Sequence, residues 1–441
     1  MNFYFFIIYI FFVICIFVPT TAYAYLDPGT GNALIYVVLS LVGAFLYFIK
    51  GLYYKIAGKK GNDIETSSSE FGYIVIFSEG KAYWHVFKPI VEQLIEKKQK
   101  FSYYTMDLED PCLLIDNEYL NNCYVGEGNS AFYKISNIKA NIMLSTTPNI
   151  GSKDYPISRS KGIKKLIFTS HSFDDYSFYR RGSLDNYDAV FLVGKFEIPI
   201  IKKLENVRNL KDKELIPAGL PYLDELIENN CKSYDDKEDK KSNNITVLLA
   251  PSWGKKGFLS YYGVDFIERL VKQNYDLIIR PHPQSLKVDK KLLNGLKEKL
   301  NKYQNVFWDY NADGSKSFQK ADILISDTSA VRFDFAIAYQ KPFIKMPISV
   351  SSEALQDFEI SDIGFSWNEQ ALESIGFGYL LKEDEIEYID KVVTQVLQTK
   401  NEKTIENFKN DNIYNVGLSK VVISNYIINE NVKLNREKKD A

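Results

Sequence analysis

Two histidines each follow a short apolar run, and the chain's best chemistry gathers around them. Arg280-Pro281-His282-Pro283 comes straight after Leu277-Ile278-Ile279, and His171 closes the run Leu166-Ile167-Phe168-Thr169-Ser170. Proline on either side restricts the backbone at His282, so its imidazole is presented rigidly, with Arg280 beside it as a phosphate partner. A neutral imidazole can take a proton from a hydroxyl while a second stabilises charge on a phosphate. His171 and His282 are therefore the candidate catalytic pair. The remaining histidine, His85, falls just inside a predicted helix and reads as a packed or solvent-facing side chain.

Hydroxyls supply the next signal. The strand Ile323-Leu324-Ile325 runs into Ser326-Asp327-Thr328-Ser329, and a helix is predicted to start at Thr328-Ser329. Hydroxyls in a first turn cap free amides, and those amides, with the positive dipole end, also hold anions. Ser326, Asp327, Thr328 and Ser329 are thus candidate phosphate ligands, with helix capping as the competing use. Pro251, Ser252 and Trp253 end another strand, Ile245–Ala250, and are the predicted nucleotide contacts. Trp253 would stack on a base or pack between domains. Metal chemistry finds little support. The four cysteines (Cys15, Cys112, Cys123, Cys231) form no CxxC pair, which weakens both metal and disulfide readings. No acidic cluster stands out either, so no metal ligands are assigned and a divalent cation is left open as a cofactor.

These residues need two α/β domains to position them. From Phe71 the chain alternates short apolar strands with amphipathic segments: Tyr73–Phe77, then Val86 to Ile95 at helical spacing, then Phe101–Tyr104, Ala140–Leu144, Lys165–Thr169 and Ala189–Val193. That alternation predicts a parallel sheet covered on both faces. A second set follows at Ile245–Ala250, Asp276–Arg280, Val306–Trp308, Ile323–Ile325 and Pro342–Ile344. The expected organisation is a membrane anchor over 1–60, a polar linker over 61–70, and a Rossmann-like acceptor domain over 71–230. A charged linker over 231–244, a Rossmann-like nucleotide-donor domain over 245–400, and one helix with a charged tail over 401–441 complete it. Asp110 to Lys134 has no assigned element, and Ile216–Asp224 reads as a strand and turn.

The anchor rests on two apolar runs, Phe3–Val18 and Ala33–Ile49, the second followed by Lys50, Lys55, Lys59 and Lys60. Lysines at that end place it, and the main domains, in the cytoplasm. Either a helical hairpin fits, or a signal peptide cut after Ala22-Tyr23-Ala24; the uncharged Met1-Asn2 start favours the hairpin. A formal net charge of -2 gives no basic field for nucleic acid.

Taken in order, Gly219-Leu220-Pro221-Tyr222-Leu223-Asp224, Ala250-Pro251-Ser252-Trp253, His282-Pro283 and Ser326-Asp327-Thr328-Ser329-Ala330 with Phe333-Asp334 resemble motifs of the CDP-glycerol glycerophosphotransferase family. The resemblance covers Leu166 to Phe343. It implies a GT-B-like fold, a CDP-alcohol donor, and a lipid-linked or surface glycan as acceptor. It also implies catalytic roles for His171 and His282, and donor-phosphate binding by Ser326 to Ser329. The chain departs from the family pattern around the first histidine, where Ser170-His171-Ser172-Phe173 replaces Trp-His-Gly-Thr, and at Thr328 and Ala330. The expected function is transfer of a glycerol-phosphate-like group at the cytoplasmic membrane face. A nucleotide-sugar glycosyltransferase or epimerase, or an idle membrane-tethered scaffold, are the rivals.

Overall fold

The computed structural model describes residues 70–440 apart from 174, 234–243, 255–256, 312–313, 349–354, 368–377 and 400–401. The two N-terminal apolar runs, the cleavage site and nearly all of the 61–70 linker lie outside the described residues, as does most of the charged 231–244 stretch. Among the described residues no helix is long and apolar enough to cross a membrane.

Among the described residues thirteen strands form two sheets, and every pairing within them is parallel. The first sheet runs β3-β2-β1-β4-β5-β6-β7. Its strands are β1 (Ile74–Ser78), β2 (Phe101–Thr105), β3 (Leu120–Tyr124), β4 (Ala140–Ser145), β5 (Ile163–Thr169), β6 (Ala189–Leu192) and β7 (Glu214–Pro217). The second runs β10-β9-β8-β11-β12-β13. It comprises β8 (Thr246–Ala250), β9 (Asp276–Ile279), β10 (Val306–Trp308), β11 (Ile323–Ser326), β12 (Phe343–Lys345) and β13 (Tyr379–Leu380). Strands buried on both faces must be apolar throughout, which is why β1, β4, β8 and β11 stand out so clearly in the sequence. Both orders reverse direction beside their first strand, between β1 and β4 and between β8 and β11. Those switch points open a crevice beyond the carboxyl ends of the strands, the usual ligand position in doubly wound sheets.

All described residues belong to one unit, Asp63–Ala441, and the halves are joined in three places. First, the helix Pro221–Ser233 packs against both the helix Trp84–Glu96 of the first domain and the helix Val331–Tyr339 of the second. Proline at its first position is suited to start a helix, so the expected turn after β7 is short and the helix extends into the predicted linker. Gly219 holds φ +85° there, and a Cβ would collide with the Tyr414 carbonyl and the Ser419 hydroxyl.

Second, the C-terminal segment is two helices, Glu402–Asn412 and Ser419–Asp440, rather than one. The longer one returns to pack on Trp84–Glu96 and on β4. Asp224 receives the amides of Gly417 at 2.7 Å and Ser419 at 2.9 Å, capping that helix.

Third, the segment around 355–367, between β12 and β13, crosses to the first domain. The Arg181 amide donates to the Asp357 carbonyl at 2.9 Å and the Glu359 amide to the Tyr179 carbonyl at 2.8 Å. Arg208 sits at its centre, bonding Asp185 at 2.7 Å, Asp362 at 2.7 Å and the wholly buried Glu359. Ser183 adds two bonds to Glu359, from its amide at 3.0 Å and its hydroxyl at 2.7 Å. Cys112 and Cys123 are both buried and are not joined in a disulfide.

Candidate active site

Three of the predicted segments lie side by side. In the second sheet Ser326 pairs with Ala250, and Leu249 with Ile279, so β11, β8 and β9 end at one edge. The loops that leave this edge are Asp327–Ser329, Pro251–Gly254 and Arg280–Pro283. The first two flank the switch point, which places a ligand between them.

Each loop is held by a buried polar group. Asp327 is wholly buried and accepts the amides of Ser252 and Phe258, both at 2.9 Å. Its two oxygens are spent on shaping the β8 loop, so Asp327 serves that loop rather than contacting a phosphate directly. The buried Ser326 hydroxyl donates to the Ala250 carbonyl and ties the two strand ends together. Asp289, which the sequence reading missed, takes the Gly254 amide at 2.8 Å. With its backbone fixed in this way, Trp253 stays 52% exposed. That exposure does not fit packing between domains and leaves the indole face open.

The helix after β11 starts later than expected. It spans Val331–Tyr339, and Ala330, which has no side-chain oxygen, stands at its N-cap. Thr328 and Ser329 precede the helix, Thr328 exposed and Ser329 half-buried, and neither caps it. What closes the turn is Arg332, whose Nε donates to the Ser329 carbonyl at 3.0 Å. Arg332 is fully buried, with its guanidinium 5.3 Å from the Phe333 ring centroid and 5.8 Å from that of Phe343. A buried arginine on two phenyl rings gains cation–π stabilisation and adds positive charge behind the Thr328-Ser329 turn. Nothing local in the sequence marked it.

Arg280 is already engaged. It pairs with Asp309 at 2.6 Å, and Asp309 also accepts the Ser317 hydroxyl at 2.6 Å. Burial works against ionisation of Asp309, yet the Ser317 hydroxyl, the Asn311 amide and the Arg280 charge hold its carboxyl below the usual range. A carboxylate this well satisfied keeps Arg280 as a strut beneath the His282 loop. His282 is half-buried, 6.5 Å from the Trp253 ring centroid to centroid, and its Nδ1 accepts the Gln284 amide at 3.1 Å. An accepting Nδ1 puts the neutral ring's proton on Nε2.

His171 follows β5 in the other sheet. Its carbonyl accepts from His85 Nε2 at 3.3 Å, and the Tyr83 ring stands edge-on to its imidazole at 5.6 Å. Its loop reaches the second domain through Phe173, which stacks on Phe333 at 5.3 Å and meets Trp367 at 5.4 Å. Phe333 opens the first turn of the helix behind Thr328 and Ser329, so one aromatic contact ties the His171 loop to the hydroxyl turn. Among the described residues no group of three His, Cys, Asp or Glu side chains is arranged to hold a metal ion.

Burial lowers the pKa of both His85 and His282, opposed at His282 by the Asp327 charge and at His85 by its bond to the His171 carbonyl. A histidine depressed in the fold stabilises fully above its unfolded value, about 6.5, and loses that contribution as pH falls through the folded value. The melting midpoint is therefore expected to drop between pH 7.5 and pH values below about 6, and to drop less in His282→Gln. A midpoint flat across that window would contradict the assignment.

Two parallel α/β domains, with hydroxyls, an indole and helix amides at the switch point of the second sheet, have a GT-B-like architecture. Residues 179–351 match the family described as CDP-Glycerol:Poly(glycerophosphate) glycerophosphotransferase. That match spans 173 of the 441 residues and makes this part of the chain similar to that family. The matched span includes every segment of the second-sheet site and leaves His171 just outside. A structure of the wall teichoic acid polymerase TagF soaked with CDPG is similar at TM-score 0.56 and 15% identity, covering 90% of this chain and 97% of that one. A second TagF structure gives 0.54 and 16%, over 89% and 98%. A UDP-GlcNAc 2-epimerase from Neisseria meningitidis bound to UDP-GlcNAc gives 0.50 and 12%, over 81% and 99%. At these identities the likeness is one of fold. Among curated proteins, none matches the chain.

Proposed function

We propose that the chain moves a glycerol-phosphate-like group from a CDP-activated donor to a hydroxyl of a lipid-linked or cell-surface glycan, at the cytoplasmic face of the membrane. The observation that carries this reading is the adjacency of the Asp327–Ser329, Pro251–Gly254 and Arg280–Pro283 loops at one strand edge, within the span that matches the glycerophosphotransferase family. The TagF structure soaked with CDPG supports the same donor class. The apolar runs Phe3–Val18 and Ala33–Ile49, with the lysines after the second, support the membrane location.

In this reading Trp253 stacks on the cytosine, and Thr328 and Ser329, with the amides at the start of the helix Val331–Tyr339, hold the diphosphate. His171 takes the proton of the acceptor hydroxyl. That oxygen bonds to the phosphorus carrying glycerol as the bond to the bridging oxygen breaks, and CMP leaves with the bridging oxygen. His282, with its proton on Nε2, donates a hydrogen bond to a phosphate oxygen as charge develops there. Chemistry at a diphosphate asks the protein for positioning and charge stabilisation rather than covalent help.

Calorimetric titration of the full chain with CDP-glycerol, CDP-ribitol and UDP-GlcNAc tests the donor. CDP-glycerol or CDP-ribitol should bind. Ser329→Ala should weaken that binding about tenfold, the worth of one hydrogen bond to a charged group, and leave the melting midpoint unchanged because Ser329 caps nothing. Heat with UDP-GlcNAc alone would turn the reading to a nucleotide-sugar enzyme. No heat with any of the three would leave a tethered scaffold.

A further inference from the structure

The crossing helix Pro221–Ser233 carries a contact that reaches from one domain to the candidate base in the other. His85 lies in the first turn of the helix Trp84–Glu96, with its Nε2 3.3 Å from the His171 carbonyl oxygen. A carbonyl only accepts, so Nε2 is the protonated nitrogen. The His85 ring stands edge-on to Tyr222, with centroids 4.6 Å apart and planes at 73°. Tyr222 in turn directs its hydroxyl toward Asp334 Oδ2 at 3.5 Å. Asp334 is on the helix that begins directly behind Thr328 and Ser329. The line Asp334–Tyr222–His85–His171 therefore runs from the helix that follows the hydroxyl turn to the backbone of the candidate base.

We infer that His85 and Tyr222 are a positioning pair that sets where the His171 imidazole sits relative to the donor-side helix. The inference rests on the proposal that His171 is the base. A hydrogen bond to the carbonyl of His171 fixes the peptide plane from which its side chain departs, and so the direction of the imidazole. A base displaced by about 1 Å can lose about 10²-fold in rate. Packing alone does not account for the arrangement, since a leucine would fill the same space between the helices. The imidazole N–H and the phenol hydroxyl are what point along the line. Burial lowers the His85 pKa and keeps the ring neutral, which suits a side chain that holds a carbonyl rather than exchanging protons with substrate.

The test uses the full chain with CDP-glycerol as donor, and compares His85→Leu, His85→Gln and Tyr222→Phe. His85→Leu should lower kcat about tenfold or more while the KM for CDP-glycerol shifts less than about twofold, because the donor site itself is untouched. Glutamine can still donate to the His171 carbonyl, so His85→Gln should recover most of the loss. Tyr222→Phe keeps the ring and loses the hydroxyl, and should cost about two- to fivefold in kcat. A readout independent of turnover comes from the ring nitrogen NMR signals, since the chain has only three histidines. In His85→Leu the His171 signals should move and those of His282 should stay. Glutamine as damaging as leucine, or His171 signals unmoved in every variant, would overturn the positioning role. A wild-type chain inert toward CDP-glycerol would count against the proposed function, while the NMR comparison still decides the placement of His171. If His85→Leu does not fold, the glutamine and Tyr222→Phe variants carry the same comparison.

Discussion

Arg208→Ala is expected to destabilise the two-domain unit by on the order of 3–5 kcal/mol, the cost of leaving buried carboxylates without their cation. Glu359 is wholly buried and bonds Arg208 and Ser183, and Asp362 is shared between Arg208 and Arg181. Removing the guanidinium leaves the buried Glu359 to Ser183 and leaves Asp362 to Arg181. Burial works against the Asp362 carboxylate, but bonds from Arg208 and Arg181 hold its pKa below the usual range. A depressed carboxylate gives its stabilisation above the unfolded value, about 3.9, and loses it as pH falls through the folded value. The variant's deficit relative to wild type should therefore shrink as pH falls below about 3.9. Chemical denaturation at pH 7 measures the main effect. Because Glu359 and Asp362 come from the second domain's β12–β13 connection and Arg208 from the first domain, the loss should appear as earlier separation of the halves. Tryptophan fluorescence follows it, through Trp367 in the interdomain aromatic cluster. A denaturation midpoint within error of wild type would show that the clamp contributes nothing.

Nothing around Arg208 announces this role in the sequence. Its second-domain partners, Glu359 and Asp362, lie more than 150 positions away, and that pairing exists only once both domains have folded. The same limit explains Arg280. Its place at a strand end made it a natural phosphate ligand, while Asp309, at the end of the neighbouring strand, has no local signal that ties it to Arg280. Asp327 was visible as part of a phosphate motif, yet its carboxylate turns back to two amides of another loop. Short-range pattern reveals which loops converge, and the long-range pairing decides which side chains stay available.

The secondary structure follows the same division. Central strands such as Thr246–Ala250 are apolar because they are covered on both faces, so composition alone exposes them. The strand Leu120–Tyr124 did not stand out because it is an edge: its Asn121 and Asn122 interrupt any apolar run, and Asn122 spends its amide on the Cys112 and Ile115 carbonyls at 2.6 and 2.8 Å. The helix after Ser329 begins at Val331 because Arg332, not a hydroxyl, organises the turn. Hydroxyls ahead of a helix read as caps by default; here Arg332 closes the turn and neither hydroxyl caps the helix.

His171→Ala and His282→Ala are each expected to cut turnover of CDP-glycerol by about 10²–10⁴-fold, the range for losing a positioned proton acceptor or donor, and they should separate by what remains. In the proposed mechanism His171 acts on the acceptor, so its loss should leave CDP-glycerol affinity intact. His282 lies beside Trp253 and in the proposed mechanism bonds the donor phosphate, so its loss should also weaken donor binding. The double variant should be far less than multiplicatively worse, because residues that act on one transition state fail together. A pH profile adds a sign to this. Burial depresses the His282 pKa, and the Gln284 amide occupies its Nδ1, so the neutral Nε2–H form persists to lower pH than in an ordinary histidine. Whatever part of the acid limb His282 sets should therefore lie below the range of an ordinary histidine, and His282→Ala should remove that part. Full turnover in both single variants would remove the histidines from the mechanism and return the weight to the hydroxyl turn and the helix amides.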